Sequence, residues 1–537
     1  MKRTFRFDEV LEAVPAGHSV LLERIAQTAA ARGTALYLVG GPVRDLLLAR
    51  PLRDLDLLVE EDARALAEAV IEGHPAAGLT LESHARFGTL QLRSGEAALD
   101  LARTRRERYA TPGALPEVEP GSLAEDLWRR DFGVNALVLP LDAKNPTRLQ
   151  TVIDEVGGLA DLAEGRLRVL HPKSFHDDPT RAFRGARLAA RLGMKLERRS
   201  RNALRDALRD GAFGAVSGER YRRELSLVFE EPRQGADAGR ILQLLSELHV
   251  LAALEPGLEL ARDRQAPLRR LSRSIELPEW PAPRWRPWIA GLSIWLAPLT
   301  SVARRRALER FAIRGEQAAR ILRFPVEAER TLRALEKARG RGAVDALLGD
   351  LAEESLQASF ALADVAIRRR ILRWGAEDKR RRAPVVGTDL TELGISGPDV
   401  GRGLARIRAA FLDGEIANRE EALVLALELA RRSARAPGRR RGGKRISKPL
   451  AVAADGSILD TAPRRRRGTS NAEPVSESGS VPESVSSPVA TRVSAPAASP
   501  DPARDPARDS ARDPSKGSSR QSPRKSSRQT TRTDTTR

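Results

Sequence analysis

The sequence predicts an α+β chain, and three changes along its length carry that prediction. Short alternating or β-branched apolar runs are interleaved with helical patterns over roughly the first 140 residues only. Beyond about residue 150 the strand signals stop, and apolar residues recur at i, i+3 and i+4. Beyond about residue 433 the composition turns abruptly to Arg, Ser, Pro, Thr and Asp.

Taken in order, ALYLV (35–39) reads as a strand, GPVRDLLLA (41–49) as a helix start and DLDLLV (54–59) as the next strand. DARALAEAVIEG (62–73) has helical spacing, while TLQLR (89–93), ALDLAR (98–103) and NALVLPL (135–141) read as strands. The segments DDPTRAFRGARLAARLG, RYRRELSLVFEE, AGRILQLLSELHVLAAL and ANREEALVLALELARR all show the helical period, so the second part is expected to be all-helical. A Pro/Trp cluster between 278 and 298 suggests a joint between helical groups. The last hundred residues hold basic clusters (Arg439–Arg441, Arg464–Arg467) and the degenerate repeat DPARDPARDSARDPSK from Asp501. Such a segment buries too little apolar surface to offset its ordering entropy and is expected to be disordered.

Composition bounds the function. Of 537 residues 41% are hydrophobic and none is cysteine, which excludes disulfide and zinc-finger frameworks and fits a reducing cytoplasm. The start, MKRTFRFDEV, lacks the apolar stretch of a signal peptide. The longest apolar run, Trp288 to Leu299, is short of the ~20 residues that span a bilayer, so no membrane segment is expected. The net charge of +20 invites a nucleic-acid partner, but its distribution matters. From Arg431 onward there are 24 Lys/Arg against 10 Asp/Glu, whereas the first 430 residues carry 68 against 62. Most of the excess therefore sits in the tail, where it reads either as a solvated extension or as a salt-sensitive RNA tether.

The segment LVGGPVRDLLLARPLRDLDLLV (38–59) carries the most chemistry. A strand runs into Gly40-Gly41, where the missing side chains let backbone N–H groups approach a phosphate, and a helix opens directly after. Arg44, one turn in, can add a charge-assisted contact to the same phosphates. Asp54 and Asp56 then fall on one face of the next strand, with Leu55 turned to the core. Two close carboxylates on a rigid strand bind hard cations such as Mg²⁺. A surface D-x-D or an ordinary glycine turn would each be weak evidence alone; this order and spacing is much stronger. Downstream, Asp178, Arg181, Arg184 and Arg187 in DDPTRAFRGAR recur every three residues and would line one side of a helix. His176-Asp177 also matches the core pair of metal phosphohydrolases. That chemistry needs further His and Asp ligands, and the six histidines (18, 74, 84, 171, 176, 249) form no second cluster.

GGxVRD followed by DxD resembles the class II nucleotidyltransferases shared by CCA-adding enzymes and bacterial poly(A) polymerases. LDLARTRRERY (99–109), EDLWRRDFGVNALV (125–138), the stretch 157–193, SGERYRREL (217–225) and LTELGISGPDVGRGLARIRAAFLDGEIANREEAL (390–423) are similar to the family in its order. Gly133 stands where the family has Thr or Ser, and Asp177 where it has Glu. The resemblance implies a DNA-polymerase-beta-like head over 1–150, a helical neck that reads the nucleotide base over 151–232, a helical body over 233–340 and a tRNA-binding tail over 341–432, before the basic extension 433–537. It implies a two-metal Mg²⁺ site on Asp54 and Asp56 as the catalytic carboxylates. It implies nucleotide binding by Gly41, Arg44, Arg130, Asp178, Arg181, Arg184 and Arg187. Asp178 and Arg181 would read the base, with Arg130, Arg184 and Arg187 facing the triphosphate. The substrates implied are CTP and ATP, and the partner is the tRNA 3′ end. A poly(A) polymerase is the alternative within the same fold, but HARFGTLQLRSGEAALDLAR (84–103) resembles the tRNA-specific branch. A flexible loop over about 104–123 is expected to govern the switch from C to A. Asp100 reads either as a third metal carboxylate or as a strand residue that orients an arginine.

Overall fold

The computed structural model describes residues 3–52, 54–84, 88–274, 277 and 286–435, all within the compact unit Met1–Arg439. The proposed disordered extension, after the end of the last helix at Arg435, lies outside the described residues, as does the part of the Pro/Trp joint from 278 to 285.

The N-terminal part is a six-stranded mixed sheet. Its strands are β1 (Leu36–Val39), β2 (Asp56–Val59), β3 (Leu79–His84), β4 (Thr89–Ser94), β5 (Ala97–Arg103) and, after a hairpin and a helix, β8 (Val138–Pro140), in the order β3-β4-β5-β2-β1-β8. All neighbours are antiparallel except β2 and β5, whose parallel register sets Asp56 beside Asp100. Period-2 alternation gives the sheet two distinct faces. Leu57, Val59, Leu90, Leu92, Leu99 and Leu101 turn to one side, against helices α1 (Ala16–Arg32) and α3 (Ala63–Gly73). Leu58 belongs to a second, smaller core with Val39, Leu127, Ala136 and Val138 on the opposite side. Asp56, two residues before Leu58, shares that opposite side, at the start of its strand where the small core gives way to a cleft.

Local signals account for the helix ends. Asp62 caps α3, its carboxylate accepting from the N–H groups of Arg64 and Ala65. Between β1 and β2 runs the short helix α2 (Gly41–Leu47). The region 104–123, expected as a flexible loop, instead forms the antiparallel strands β6 (Arg105–Arg108) and β7 (Glu117–Pro120). It feeds into α4 (Leu123–Trp128), which a reciprocal Ser122/Glu125 capping box begins. The alternation of burial along β6 is what a helix-or-loop reading of TRRERY passes over, because the alternating residues are all polar. The run 135–141 is only partly a strand, since Gly133–Asn135 makes a 3-10 turn before β8.

Beyond residue 150 helices dominate, although Gln150–Thr151 pairs antiparallel with Thr4–Phe5, Ile153 bridges to Val138, and Arg166–Leu167 pairs parallel with Lys195–Leu196. The helices relevant to the site are α5 (Gly158–Ala163), α6 (Ser174–Asp177), α7 (Arg181–Leu192), α8 (Arg198–Arg209) and α9 (Gly218–Glu230). One continuous hydrophobic core runs from Phe5 through the sheet and these helices to Ala361. Two smaller cores follow, one around Trp374 and one around Ile407.

Candidate active site

The site forms where the open side of the sheet meets the start of α7. β1 ends in Gly40, whose φ of 78° only glycine adopts without strain and whose Cβ position lies 3.1 Å from Arg130 Nη1. This turn aims α2 into a cleft of about 960 Å³. Gly41 and Arg44 both line it. Arg44 is 3% exposed, and its guanidinium donates to Asp45 and, at 2.5 Å, to Asn135 Oδ1. Asn135 was not marked out in the sequence, although a polar residue inside the apolar run GVNALV was available as a signal.

Asp54 and Asp56 line the same cleft. The strand begins only at Asp56, so Asp54 stands in the approach to it, with the buried Leu55 between them as expected. Among the described residues neither carboxylate has a salt-bridge partner. Burial pushes the Asp56 carboxyl up to about 6; the charge of Arg130 opposes the rise, and Asp100 and Asp54 add to it. Asp100 is held by Gln91, whose Nε2 donates to its Oδ1 at 2.9 Å. Asp100 lies opposite Asp56 in the parallel register of β2 and β5, and its charge adds to the rise of the Asp56 carboxyl. The donor set fits a hard divalent cation: anionic oxygens, neither of them neutralised by an arginine pair, at the edge of a wide polar cleft.

Arg129 and Arg130 follow α4 and share the buried Asp126, Arg129 through Oδ1 and Arg130 through Oδ2. Asp131 is buried as well. Its Oδ1 accepts from the Phe132 N–H and from Asn135 Nδ2, and its Oδ2 accepts from Arg184 Nε at 2.8 Å. Burial alone would raise the Asp131 carboxyl, but the charge of Arg184 and the hydrogen bonds of Asn135 and Arg184 outweigh it and bring it down to about 2. Gly133, in place of the family's Thr or Ser, has no room for a side chain: a Cβ there would lie 2.3 Å from Asp161 Oδ2.

Asp178 is not part of the helix that carries the arginines. It is the extended residue that closes α6, and α7 begins three residues later at Arg181. The reason is local: Asp178 Oδ1 accepts from the Thr180 N–H and from Thr180 Oγ1, an Asx-type turn that competes with helix and is followed by Pro179. Arg181 is 5% exposed, with its guanidinium donating to Ser174 Oγ and to the Arg129 carbonyl. Arg187 is paired with Glu224 and Glu231. All the sequence-derived residues, Gly41, Arg44, Asp54, Asp56, Arg130, Asp178, Arg181, Arg184 and Arg187, line one cleft. The unforeseen participants are the carboxylates that hold the arginines, together with Tyr109 and Arg220. Asp126 lies one helical turn before Arg129 and Arg130, whereas Asp131, Glu224 and Glu231 lie far in sequence from the arginines they hold, and only the fold brings those together.

Residues 36–168 match the family described as the poly A polymerase head domain. Over 406 residues the chain is 31% identical to an A-adding tRNA nucleotidyltransferase of Geobacter sulfurreducens, which covers 74% of this chain and 45% of that protein. Over 231 residues it is 42% identical to a CC-adding tRNA nucleotidyltransferase of Deinococcus radiodurans, covering 41% of this chain and 58% of that one. These matches thus span about half the length of the curated relatives. Among solved structures, a Thermotoga maritima CCA-adding enzyme complexed with tRNA superposes with a TM-score of 0.59 at 26% identity, over 80% of this chain and 99% of that one. A CCA-adding enzyme in complex with CTP gives 0.61 at 25% identity, over 81% of this chain and all of the other.

Proposed function

The chain belongs to the class II nucleotidyltransferase family of tRNA nucleotidyltransferases and poly(A) polymerases, and from that premise we propose that it transfers CMP and AMP units from CTP and ATP to the 3′ end of tRNA. The observation that carries the reading is the convergence, in one cleft, of the carboxylates Asp54 and Asp56 with Asp178 and Arg181. Between the two groups lie Arg44, Arg130, Arg184 and Arg187, cations suited to a triphosphate.

In the proposed reaction the 3′-hydroxyl of the RNA attacks the α-phosphorus of the nucleotide, and pyrophosphate leaves. Asp54 and Asp56 would hold Mg²⁺, which when bound acidifies the attacking hydroxyl and offsets the charge of the triphosphate. The chain's own residues supply position. The arginines are held by Asp126, Asp131, Asn135, Glu224 and Glu231 before any substrate arrives, so little reorganisation is left for the moment of transfer. Base choice follows from donor and acceptor patterns. Cytosine and adenine each present an amine beside a ring nitrogen acceptor; Asp178 accepts from the amine, and the remaining N–H donors of Arg181 serve the ring nitrogen. Uracil and guanine reverse both groups. We assign the segments 1–150, 151–232, 233–340 and 341–432 as head, neck, body and tail, with the tail binding tRNA. There the 16-residue helix Pro398–Asp413 opens after Gly397, where small residues admit a phosphate backbone. No helix among the described residues is long and apolar enough to cross a membrane, and with tRNA as substrate the proposed compartment is the cytoplasm.

The test is incubation of the purified protein with tRNAs ending before C74, after C75 and after A76, with CTP, ATP or both, followed by sequencing of the products. Extension restricted to C and A at these positions supports the reading and shows how many of the three nucleotides are added. Long adenylate tracts on unrelated RNA would establish the poly(A) alternative, and no incorporation would overturn both.

A further inference from the structure

Asp178 receives a third hydrogen bond, from a residue 42 positions further on. Arg220, in the first turn of α9, donates from Nη2 to Asp178 Oδ1 at 2.7 Å and from Nη1 to the Gly113 carbonyl at 2.7 Å. Every hydrogen bond that the Asp178 carboxylate accepts among the described residues ends on Oδ1: those of the Thr180 N–H, Thr180 Oγ1 and Arg220. Oδ2 accepts none of them, and Asp178 lines the cleft. A carboxylate with one oxygen held from three directions cannot rotate, so the same oxygen always meets the incoming base.

The second arm of Arg220 reaches the turn between β6 and β7. Gly113 there has a φ of 71°, its N–H donates to the His176 carbonyl at 2.9 Å, and its Cβ position lies 3.2 Å from both Ala215 Cβ and Val216 Cγ2. The turn is therefore seated on the helical part of the molecule, and it places Tyr109 and Leu115 along the cleft wall. One guanidinium joins the hairpin, the base-reading carboxylate and α9. Arg220 itself is about one quarter exposed and borders the cleft.

We propose that Arg220 is a positioning residue for base selection: it fixes Asp178 with Oδ2 toward the base and makes that orientation depend on the seated hairpin turn. This rests on the proposed reading of the cleft as a CTP/ATP site. Arg220→Gln can still donate but brings one amide in place of a bidentate cation, and Arg220→Lys keeps the charge without the two-pronged reach. Loss of one charge-assisted hydrogen bond is worth roughly tenfold in binding.

The experiment compares wild type, Arg220→Gln, Arg220→Lys and Gly113→Ala in two ways: calorimetric binding of CTP, ATP, UTP and GTP, and incorporation of each into tRNA lacking its 3′ CCA. Expected for Arg220→Gln is a preference for CTP over UTP, and for ATP over GTP, reduced roughly tenfold. KM for the correct nucleotides rises while their kcat falls less, and Arg220→Lys restores part of the preference. Gly113→Ala, which unseats the turn but leaves the Asp178–Arg220 pair in place, loses less. Preferences unchanged from wild type in both Arg220 variants would overturn the proposal. So would an equal loss of all four nucleotides, which marks a merely structural role. A wild-type protein that binds the four nucleotides alike, or adds none, would instead refute the reading of the cleft on which the proposal stands.

Discussion

At the scale of single residues, the carboxylates around the site, Asp45, Asp126, Asp131, Asp178, Glu224 and Glu231, are each paired with an arginine. Asp54 and Asp56 are the exception, and they should be the residues whose loss is least tolerated. Replacing either with Ala should abolish incorporation of CTP and ATP while tRNA binding, measured by filter retention, stays intact; undiminished incorporation would remove them from the catalytic role. Asp131 makes a different prediction. Its folded-state value of about 2 lies below the ordinary carboxylate value, so its contribution to stability is complete above the unfolded value and is lost as pH falls toward 2. Asp131→Asn should therefore lower stability at pH 6 by roughly 2 kcal/mol. The gap to wild type should close on acidification through pH 4 to 2, as read by thermal melts across that range. Much of this residue level was legible in the chain: GGPVRD and DLD announce a phosphate turn and a carboxylate pair through spacing alone. The counter-ions Glu224 and Glu231 of Arg187 were not, because a charge partner chosen by tertiary structure leaves no local periodicity.

At the scale of elements, α7 carries the arginine proposed to read the base, and the helix makes one close contact with Phe132. A Cβ at Gly185 would lie 2.8 Å from Phe132 Cζ, and Phe132 is fully buried. Gly185→Ala should push α7 away from the sheet, costing roughly 1–3 kcal/mol of stability by overpacking. The shift carries Arg181 and Arg184 with it, so kcat/KM should fall by more than the stability loss explains; equal activity in folded variant and wild type would separate the helix position from function. The helix itself was legible from its apolar spacing, and its start was not. The helical period continues back through Asp178, but the Asx-type turn at Asp178 and Pro179 wins locally. The hairpin β6–β7 escaped for a related reason, since β6 alternates polar with polar and β7 is only four residues long with Val118 as its one hydrophobic residue apart from a proline.

At the scale of the whole molecule, the division between a sheet-bearing front and a helical remainder was readable from the change of period near residue 150, because the two periods are incompatible in one element. The charge distribution was equally readable and corrects the first impression that net charge gives. A chain ending at Arg435 keeps all the described helices and loses most of the excess positive charge. Its turnover on tRNA at low salt should stay close to that of the full chain, while the slope of log affinity against log salt becomes shallower. Collapse of turnover at low salt would place the extension in the RNA site.

The contact between Gly185 and Phe132 has one more consequence. The carboxylate of Asp56, proposed for phosphoryl chemistry, stands on the sheet, the arginine proposed to read the base stands on α7, and the buried Phe132 ring packs against α7 at Gly185. The ring thus acts as the gauge block of the cleft. In the proposed reaction it would set how far the sugar–phosphate end of a nucleotide lies from its base edge. Thinning it with Phe132→Leu or thickening it with Phe132→Trp changes a dimension rather than a chemical group, and so rescales the cleft for every nucleotide at once.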